Sequence, residues 1–283
     1  MPRSVTVGVD GSPQSLAAAD WAAREAELRG LPLRVVHAWR KPFPEPEAAE
    51  AREALEHWAS RVPREAEGRI RHARPGLELS VEQIDGLPGQ TLARAAADSA
   101  LLVLGSQGLS GLSGYLVGST GHLLLGEVTG TPLVFVRTGS PGARDGPVVV
   151  GVSDGADAPL DFAFDTAARR GCPLRAVHAW RIPGYYGFGM VAGDALTTDR
   201  ARSEVTALRE RLRPWRERHP AVDVTTRAAA GLPVDLLSDA SREAALLVVG
   251  RRERRLPVGT RAGSVTYGVL HHVPVPVAVV PHG

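Results

Sequence analysis

The sequence predicts an α/β protein made of two tandem, doubly wound domains, each with a five-stranded parallel sheet. Three observations carry this. First, the chain repeats itself: Gly30-Leu-Pro-Leu-Arg-Val-Val-His-Ala-Trp-Arg40 returns as Gly171-Cys-Pro-Leu-Arg-Ala-Val-His-Ala-Trp-Arg181, and Gly86-Leu-Pro to Leu104-Gly105 returns as Gly231-Leu-Pro to Val249-Gly250. From Gly86 to Gly118 the copies stay 145 residues apart, and a repeat of that length is a duplicated domain. Second, short apolar runs alternate with helical patterns, which implies a parallel sheet wrapped on both faces. Third, runs such as Leu101 to Leu104 are apolar without alternation, as strands covered on both sides are.

The domains are expected at residues 1–140 and 146–283, joined by Thr138-Gly-Ser-Pro-Gly-Ala-Arg-Asp-Gly146, whose composition is that of a linker. In the first copy, Ser4 to Val9 reads as a strand ended by Asp10-Gly11. Ser12-Pro13 then caps a helix that Gly30 stops. Leu33 to Trp39 is the second strand, followed by the Pro-rich Lys41 to Pro46 and a polar helix from about Glu47 to His72, bent or broken at Pro63. Leu77 to Ile84 is the third strand, Gly89 to Ser99 an amphipathic helix, and Ala100 to Leu104 the fourth strand. A glycine-rich loop opens the next helix, and Pro132 to Arg137 supplies the fifth strand. That strand and its twin, Pro276 to Val280, are sheet edges that invite pairing.

Composition narrows the function classes. With 43% hydrophobic and 23% charged residues over 283 positions, the chain has the make-up of a soluble globular protein. A net charge of +2 does not point to nucleic acid. No apolar run approaches the roughly 18 to 20 residues of a membrane helix. The N-terminus enters a strand at once, without a signal-peptide core, so a cytoplasmic address is expected. The single cysteine, Cys172, has no partner for an intramolecular disulfide and is expected as a small buried hydrophobe. The single lysine, Lys41, lies in the Pro-rich segment, so there is no G-x-x-x-x-G-K-[ST] phosphate loop.

The chemistry points to the stretch from Gly105 to Thr120. Gly105 and Gly108 lack a Cβ, which lets backbone approach a ligand. Gly118-Ser119-Thr120 opens a helix whose free N–H groups and dipole favour an anion, with phosphate the first candidate. Glycine spacing alone fits either an anion cradle or a surface loop with a serine cap. The parallel sheet adds context, because ligands bind at the carboxyl ends of its strands where the winding reverses. Asp10, the His37-Ala38-Trp39 turn and Gly105 all fall at strand ends.

At this point the residues resemble the universal stress protein family in its tandem two-domain form. Its nucleotide-binding members carry G-x-x-G, nine residues, then G-[ST]; here stand Gly105-Ser-Gln-Gly108, residues 109 to 117, and Gly118-Ser119. The opening V-G-V-D-G-S and the V-V-H-A strand end match as well. The resemblance implies a fold that binds ATP without a Walker lysine, with the two domains packed as a pseudo-dimer. It implies that Asp10 and the backbone of Ala38 contact adenine or the nearby ribose, that Gly105 lies against the ribose, and that Gly108, Gly118, Ser119 and Thr120 hold the phosphates. Mg2+ or Mn2+ bridging those phosphates would lie near Ser119 or Asp10. Asp10 also reads as a helix cap, His37 as a sheet residue and no catalyst, and Trp39 and Trp180 as packing residues at the rim.

The second copy departs from this pattern. Gly250-Arg251-Arg252-Glu253 replaces G-x-x-G, with Gly263-Ser264 in register and Ser153-Asp154 and Ala179 on the adenine side. Glu253 puts a negative charge where phosphate would lie. The flanking arginines either pair with Glu253 or bind phosphate themselves. The segment Arg181 to Gly193, with Tyr185, Tyr186, Phe188 and Met190, reads as either a lid or a contact surface. The leading expectation is therefore an ATP-binding stress-response protein whose ligand changes conformation, association or partner choice, with a protein partner and self-association both open. The alternatives are an interaction scaffold that has lost nucleotide binding in one or both copies, and a slow ATPase. No catalytic residue is nominated.

Overall fold

The computed structural model describes residues 3–40, 48–108, 115–116, 118–138, 146–180, 194–253 and 263–283. The Pro-rich segment after Arg40, most of the linker, the middle of the glycine loop and the aromatic segment from Arg181 to Gly193 lie outside the described residues. The described residues form two compact units, one holding those up to Thr138 and the other those from Gly146 on.

Unit 1 runs β1 (Ser4–Gly8), α1 (Pro13–Arg29), β2 (Leu33–Trp39), α2 (Ala49–Ala73), β3 (Leu79–Asp85), α3 (Pro88–Ala97), β4 (Ser99–Gly108), β5 (Tyr115–Leu116), α4 (Ser119–Glu127) and β6 (Leu133–Arg137). Five strands pair in parallel in the order β3-β2-β1-β4-β6. The winding reverses between β1 and β4, and the crevice of a doubly wound sheet opens at that reversal. Val5, Val7, Leu101, Leu102 and Val103 have no solvent exposure, and full burial of each such side chain stabilises by about 1.5–3 kcal/mol. These central strands are apolar on both faces, as expected for a sheet with helices on either side.

Helix α1 starts and stops where its sequence directs. Ser12 is the N-cap and Pro13 follows it, while Gly30 turns left-handed at φ 62°. Gly30 N–H then reaches Glu27 O and Leu31 N–H reaches Ala26 O, both at 3.0 Å, which satisfies carbonyls the helix end would otherwise leave open. Two expectations change. Of the bend or break expected at Pro63, the break is absent: α2 is one helix from Ala49 to Ala73. The fourth strand does not end at Leu104 but runs to Gly108, where Gln107 and Gly108 pair antiparallel with Leu116 and Tyr115. Gly105 and Gly108 are thus strand residues, and the connection to α4 begins as a hairpin.

Unit 2 repeats the plan with β7 (Val148–Gly151), α5 (Ala158–Arg170), β8 (Leu174–Trp180), α6 (Asp194–Arg218), β9 (Val224–Ala230), α7 (Pro233–Ala240), β10 (Leu246–Arg252), α8 (Ser264–His272) and β11 (Val277–His282). Its strands pair in parallel in the order β9-β8-β7-β10-β11. Cys172, which follows the C-cap Gly171, is half-buried rather than buried. A residue just past a helix end, where the chain turns toward the next strand, has one side left open to solvent.

Candidate functional site

In unit 1 the ends of β1, β2 and β4 and the starts of α1, α3 and α4 surround a cleft of about 260 Å³. Of the residues expected at a site, Asp10, Ala38, Gly105, Gly118, Ser119 and Thr120 all line it. Gly108 stands at the hairpin end of β4, three residues beyond Gly105.

The wall at β1 depends on a turn only glycine makes easily. Gly11 has φ +82°, with Val62 of α2 lying 3.0 Å from where a Cβ would be. The turn folds Asp10 back so that its Oδ1 accepts the Ser12 N–H at 2.9 Å, an Asx turn. The actual cap is Ser12, whose Oγ accepts the Ser15 N–H at 3.1 Å. Partial desolvation pushes the Asp10 carboxyl up, but hydrogen bonds from Ser12 and Ser15 together outweigh it and hold the group below its ordinary value. An exposed, ionised acceptor therefore faces the cleft.

At the end of β2, Ala38 contributes a small wall. His37 beside it is buried, and its Nδ1–H donates to Val9 O at 2.8 Å. That bond ties β2 to the end of β1 and gives the histidine a structural task, as expected. At β4 the reason for glycine differs from the expectation. A Cβ on Gly105 would stand 2.6 Å from the Gln14 carbonyl carbon and 2.7 Å from Ser15 N, inside the first turn of α1. Close packing of strand on helix requires the glycine whether or not a ligand approaches.

The start of α4 shows the opposite. Gly118 is its N-cap, with φ −59° and ψ 170° and no side-chain cap bond. A Cβ there would meet nothing within 4 Å, so neither backbone angle nor packing demands glycine. The first bond of the helix is His122 N–H to Gly118 O at 3.0 Å. The N–H groups of Ser119, Thr120 and Gly121 precede it, at a helix end whose dipole favours an anion.

Sequence reasoning missed several residues of this cleft: Ser12 and Ser15 at the start of α1, and Pro88 and Leu92 on α3. Ser12-Pro13 had the signal of a cap and no more. Pro88 and Leu92 are four apart and so share a helix face, but nothing in the sequence says that this face looks into the cleft.

Comparison with known proteins places this arrangement. The model of the universal stress protein family matches residues 1–137 and again 146–281. The chain belongs to the universal stress protein family. A universal stress protein of Mycobacterium tuberculosis strain H37Rv is 34% identical over 98% of this chain and 96% of its own. Among solved structures, a universal stress protein from Archaeoglobus fulgidus DSM 4304 superposes with a TM-score of 0.70 over 99% of both chains, at 19% identity. A universal stress protein solved in complex with cAMP matches 50% of this chain and 100% of its own, at 25% identity and a TM-score of 0.37.

In this universal stress protein, unit 2 keeps the frame and alters the rim. His178 Nδ1–H donates to Val152 O at 3.0 Å, as His37 does to Val9. Asp154, Ala179, Gly250, Gly263 and Ser264 take the corresponding places at the ends of β7, β8 and β10 and the start of α8. Helix α8 repeats the uncapped start: Gly263 makes no side-chain cap bond and has nothing within 4 Å of a built Cβ. Glu253 follows β10, its N–H donating to His282 O at 2.8 Å. Its carboxylate lies 3.9 Å from Nη2 of the buried Arg251. Burial pushes the Arg251 guanidinium down, and Glu253 offsets part of that.

The beginning of α5 is also different. Helix α1 has 17 residues and α5 has 13. The N-cap of α5, Asp157, makes no side-chain cap bond. Among the described residues no three His, Cys, Asp or Glu gather to hold a metal, and no helix is long and apolar enough to cross a membrane.

Proposed function

We propose that this universal stress protein binds ATP in the unit 1 cleft and acts as a nucleotide-dependent regulatory or protective factor in the cytoplasm. One observation carries the reading: the uncapped start of α4, with open space at Gly118, faces the same cleft as the ionised Asp10 and the strand end at Ala38. An anion belongs at the first and a hydrogen-bond donor at the second, which suits the phosphate and the nucleoside ends of one ligand. Gly118, Ser119 and Thr120 would take the phosphates, with Gly108 nearby. Asp10, Ala38 and Gly105 would flank the ribose and adenine. Mg2+ or Mn2+, if bound with the nucleotide, would lie near Ser119 or Asp10 and would offset the charge of the phosphates.

The domains of this reading are residues 1–140 and 146–283, and the second acts as an interaction scaffold. The shortened α5 and the ion-paired Glu253 favour that role for it over a second nucleotide site. Self-association belongs to the same reading, and light scattering on size-exclusion fractions measures it. The deciding experiment is mass spectrometry of ligand released from purified full-length protein, followed by calorimetric titration with ATP. One adenine nucleotide per chain is expected. Absence of ATP uptake by ligand-stripped protein sinks the reading, and multiple-turnover phosphate release replaces it with an ATPase.

A further inference from the structure

Ser15 is 3% exposed and lies outside the motifs named above. Its N–H donates to Ser12 Oγ at 3.1 Å, its hydroxyl donates to Ser12 O at 2.9 Å, and its oxygen accepts the Asp10 N–H at 3.3 Å. With Asp10 Oδ1 accepting the Ser12 N–H at 2.9 Å, the connection from β1 to α1 is closed on itself and the carboxylate has a fixed seat. Gly105 makes room for this joint from the other side, since a Cβ there would stand 2.7 Å from Ser15 N. That is a backbone atom, which no rotamer change moves.

Among the described residues unit 2 shows no such joint, and the N-cap of α5, Asp157, makes no side-chain cap bond. The interval from Gly155 to Gly171 is three residues shorter than that from Gly11 to Gly30. Counted back from the C-cap glycines, Ala156 stands where Ser15 stands in unit 1. A Cβ on Gly250 would face the Pro159 ring at 3.1 Å and His282 at 3.0 Å, not the backbone of a first helical turn.

We propose that Ser15 is a positioning residue, holding the Asp10 carboxylate toward the nucleoside end of the ligand in unit 1. We propose too that loss of this joint, and not Glu253 alone, bars unit 2 from binding in the same way. This rests on the nucleotide reading of the cleft given above.

Calorimetric titration of the full chain with adenosine and with ATP tests it. Ser15→Ala weakens both by the same factor, about tenfold, because the bonds lost serve the nucleoside end. In an Asp10→Ala background the same substitution costs nothing further, because the two act as one unit. The Asp10 carboxyl titration followed by NMR moves up in Ser15→Ala, since the turn that holds the carboxylate on the Ser12 N–H loses its tie to Ser15. Gly105→Ala shifts affinity in the same direction. Should that variant fail to fold, Ser15→Ala, which removes only a hydroxyl, still decides.

Unchanged adenosine affinity in Ser15→Ala, or an equal penalty with and without Asp10, overturns the positioning role. Glu253→Gly alone leaves the number of nucleotides bound per chain at the wild-type value of one, and a second equivalent overturns the claim about unit 2. Wild-type protein that takes up neither adenosine nor ATP overturns the nucleotide reading and this proposal with it. Wild-type binding with an indifferent Ser15→Ala overturns this proposal by itself.

Discussion

Unit 1 and unit 2 agree wherever the sheet and its helices need a particular residue, and diverge around the carboxyl ends of the strands. Their strand orders match. Both Gly86 and Gly231 have φ +148°, and Gly30 and Gly171 end α1 and α5 left-handed at φ 62° and 61°. Both second strands carry, two residues before their last, a histidine that donates to the carbonyl of the residue just past the first strand. By contrast, Gly108 becomes Glu253, and the first turn of α1 has no full counterpart in α5. The duplication does not divide cleanly between fold and cleft, since Gly118 and Gly263 are kept in both copies although neither backbone angle nor packing demands glycine there.

The strongest way to break this comparison is to give unit 1 the residue of unit 2. Gly108→Glu is expected to weaken ATP at least about a hundredfold by calorimetry, since like charges about 4 Å apart repel by roughly 4 kcal/mol at an effective dielectric near 20. Normal affinity in that variant removes Gly108 from the phosphate end. A second substitution sharpens the comparison, because Gly118 and Gly263 are both helix N-caps with open space around them. Alanine at either is expected to cost about 0.5–1 kcal/mol of stability through the weaker cap, read from denaturant midpoints. Only Gly118→Ala is expected to weaken ATP, by about tenfold, the methyl group standing where the ligand approaches. Equal loss of ATP in both variants assigns unit 2 a working site.

Much of this was legible in the sequence, and the exceptions have physical reasons. Periodicity and the repeat place every helix and main strand of unit 1, because apolar spacing and Gly or Pro punctuation are local signals. The extension of β4 to Gly108 was not legible, since it depends on Tyr115 and Leu116 returning to pair with Gln107 and Gly108, a contact no local pattern encodes. Pro63 inside α2 reads as a bend or a break, yet the helix is unbroken there, and the turns around it bury Ala59, Pro63, Ala66 and Ile70, tertiary contacts that a local preference does not include. Gly105 lines the cleft, but the atoms that forbid a side chain there belong to Gln14 and Ser15, about ninety residues earlier, and no local pattern joins them.

A milder change tests the phosphate end alone. Ser119→Ala leaves the backbone N–H groups of α4 in place and removes one hydroxyl. It is expected to weaken ATP about threefold and adenosine not at all. Equal weakening of both ligands moves Ser119 to the nucleoside side of the cleft.

The smallest effect concerns Asp10 and follows from the joint that unit 2 lacks. Hydrogen bonds from Ser12 and Ser15 outweigh desolvation and hold the folded-state pKa of Asp10 below its unfolded value, so the fold binds the ionised form better than the protonated one. The stability this contributes is present in full above the unfolded pKa and is lost as pH falls through the folded one. Asp10→Asn keeps an oxygen that can accept the Ser12 N–H but cannot carry the charge. Wild type should therefore exceed Asp10→Asn in denaturant midpoint at neutral pH, by a small margin because the side chain is exposed and screened by solvent. That margin should close on acidification, below the ordinary carboxylate range. A margin that instead widens as pH falls means the folded state favours the protonated carboxyl, and the Asx turn at Ser12 is then not what holds Asp10 in place.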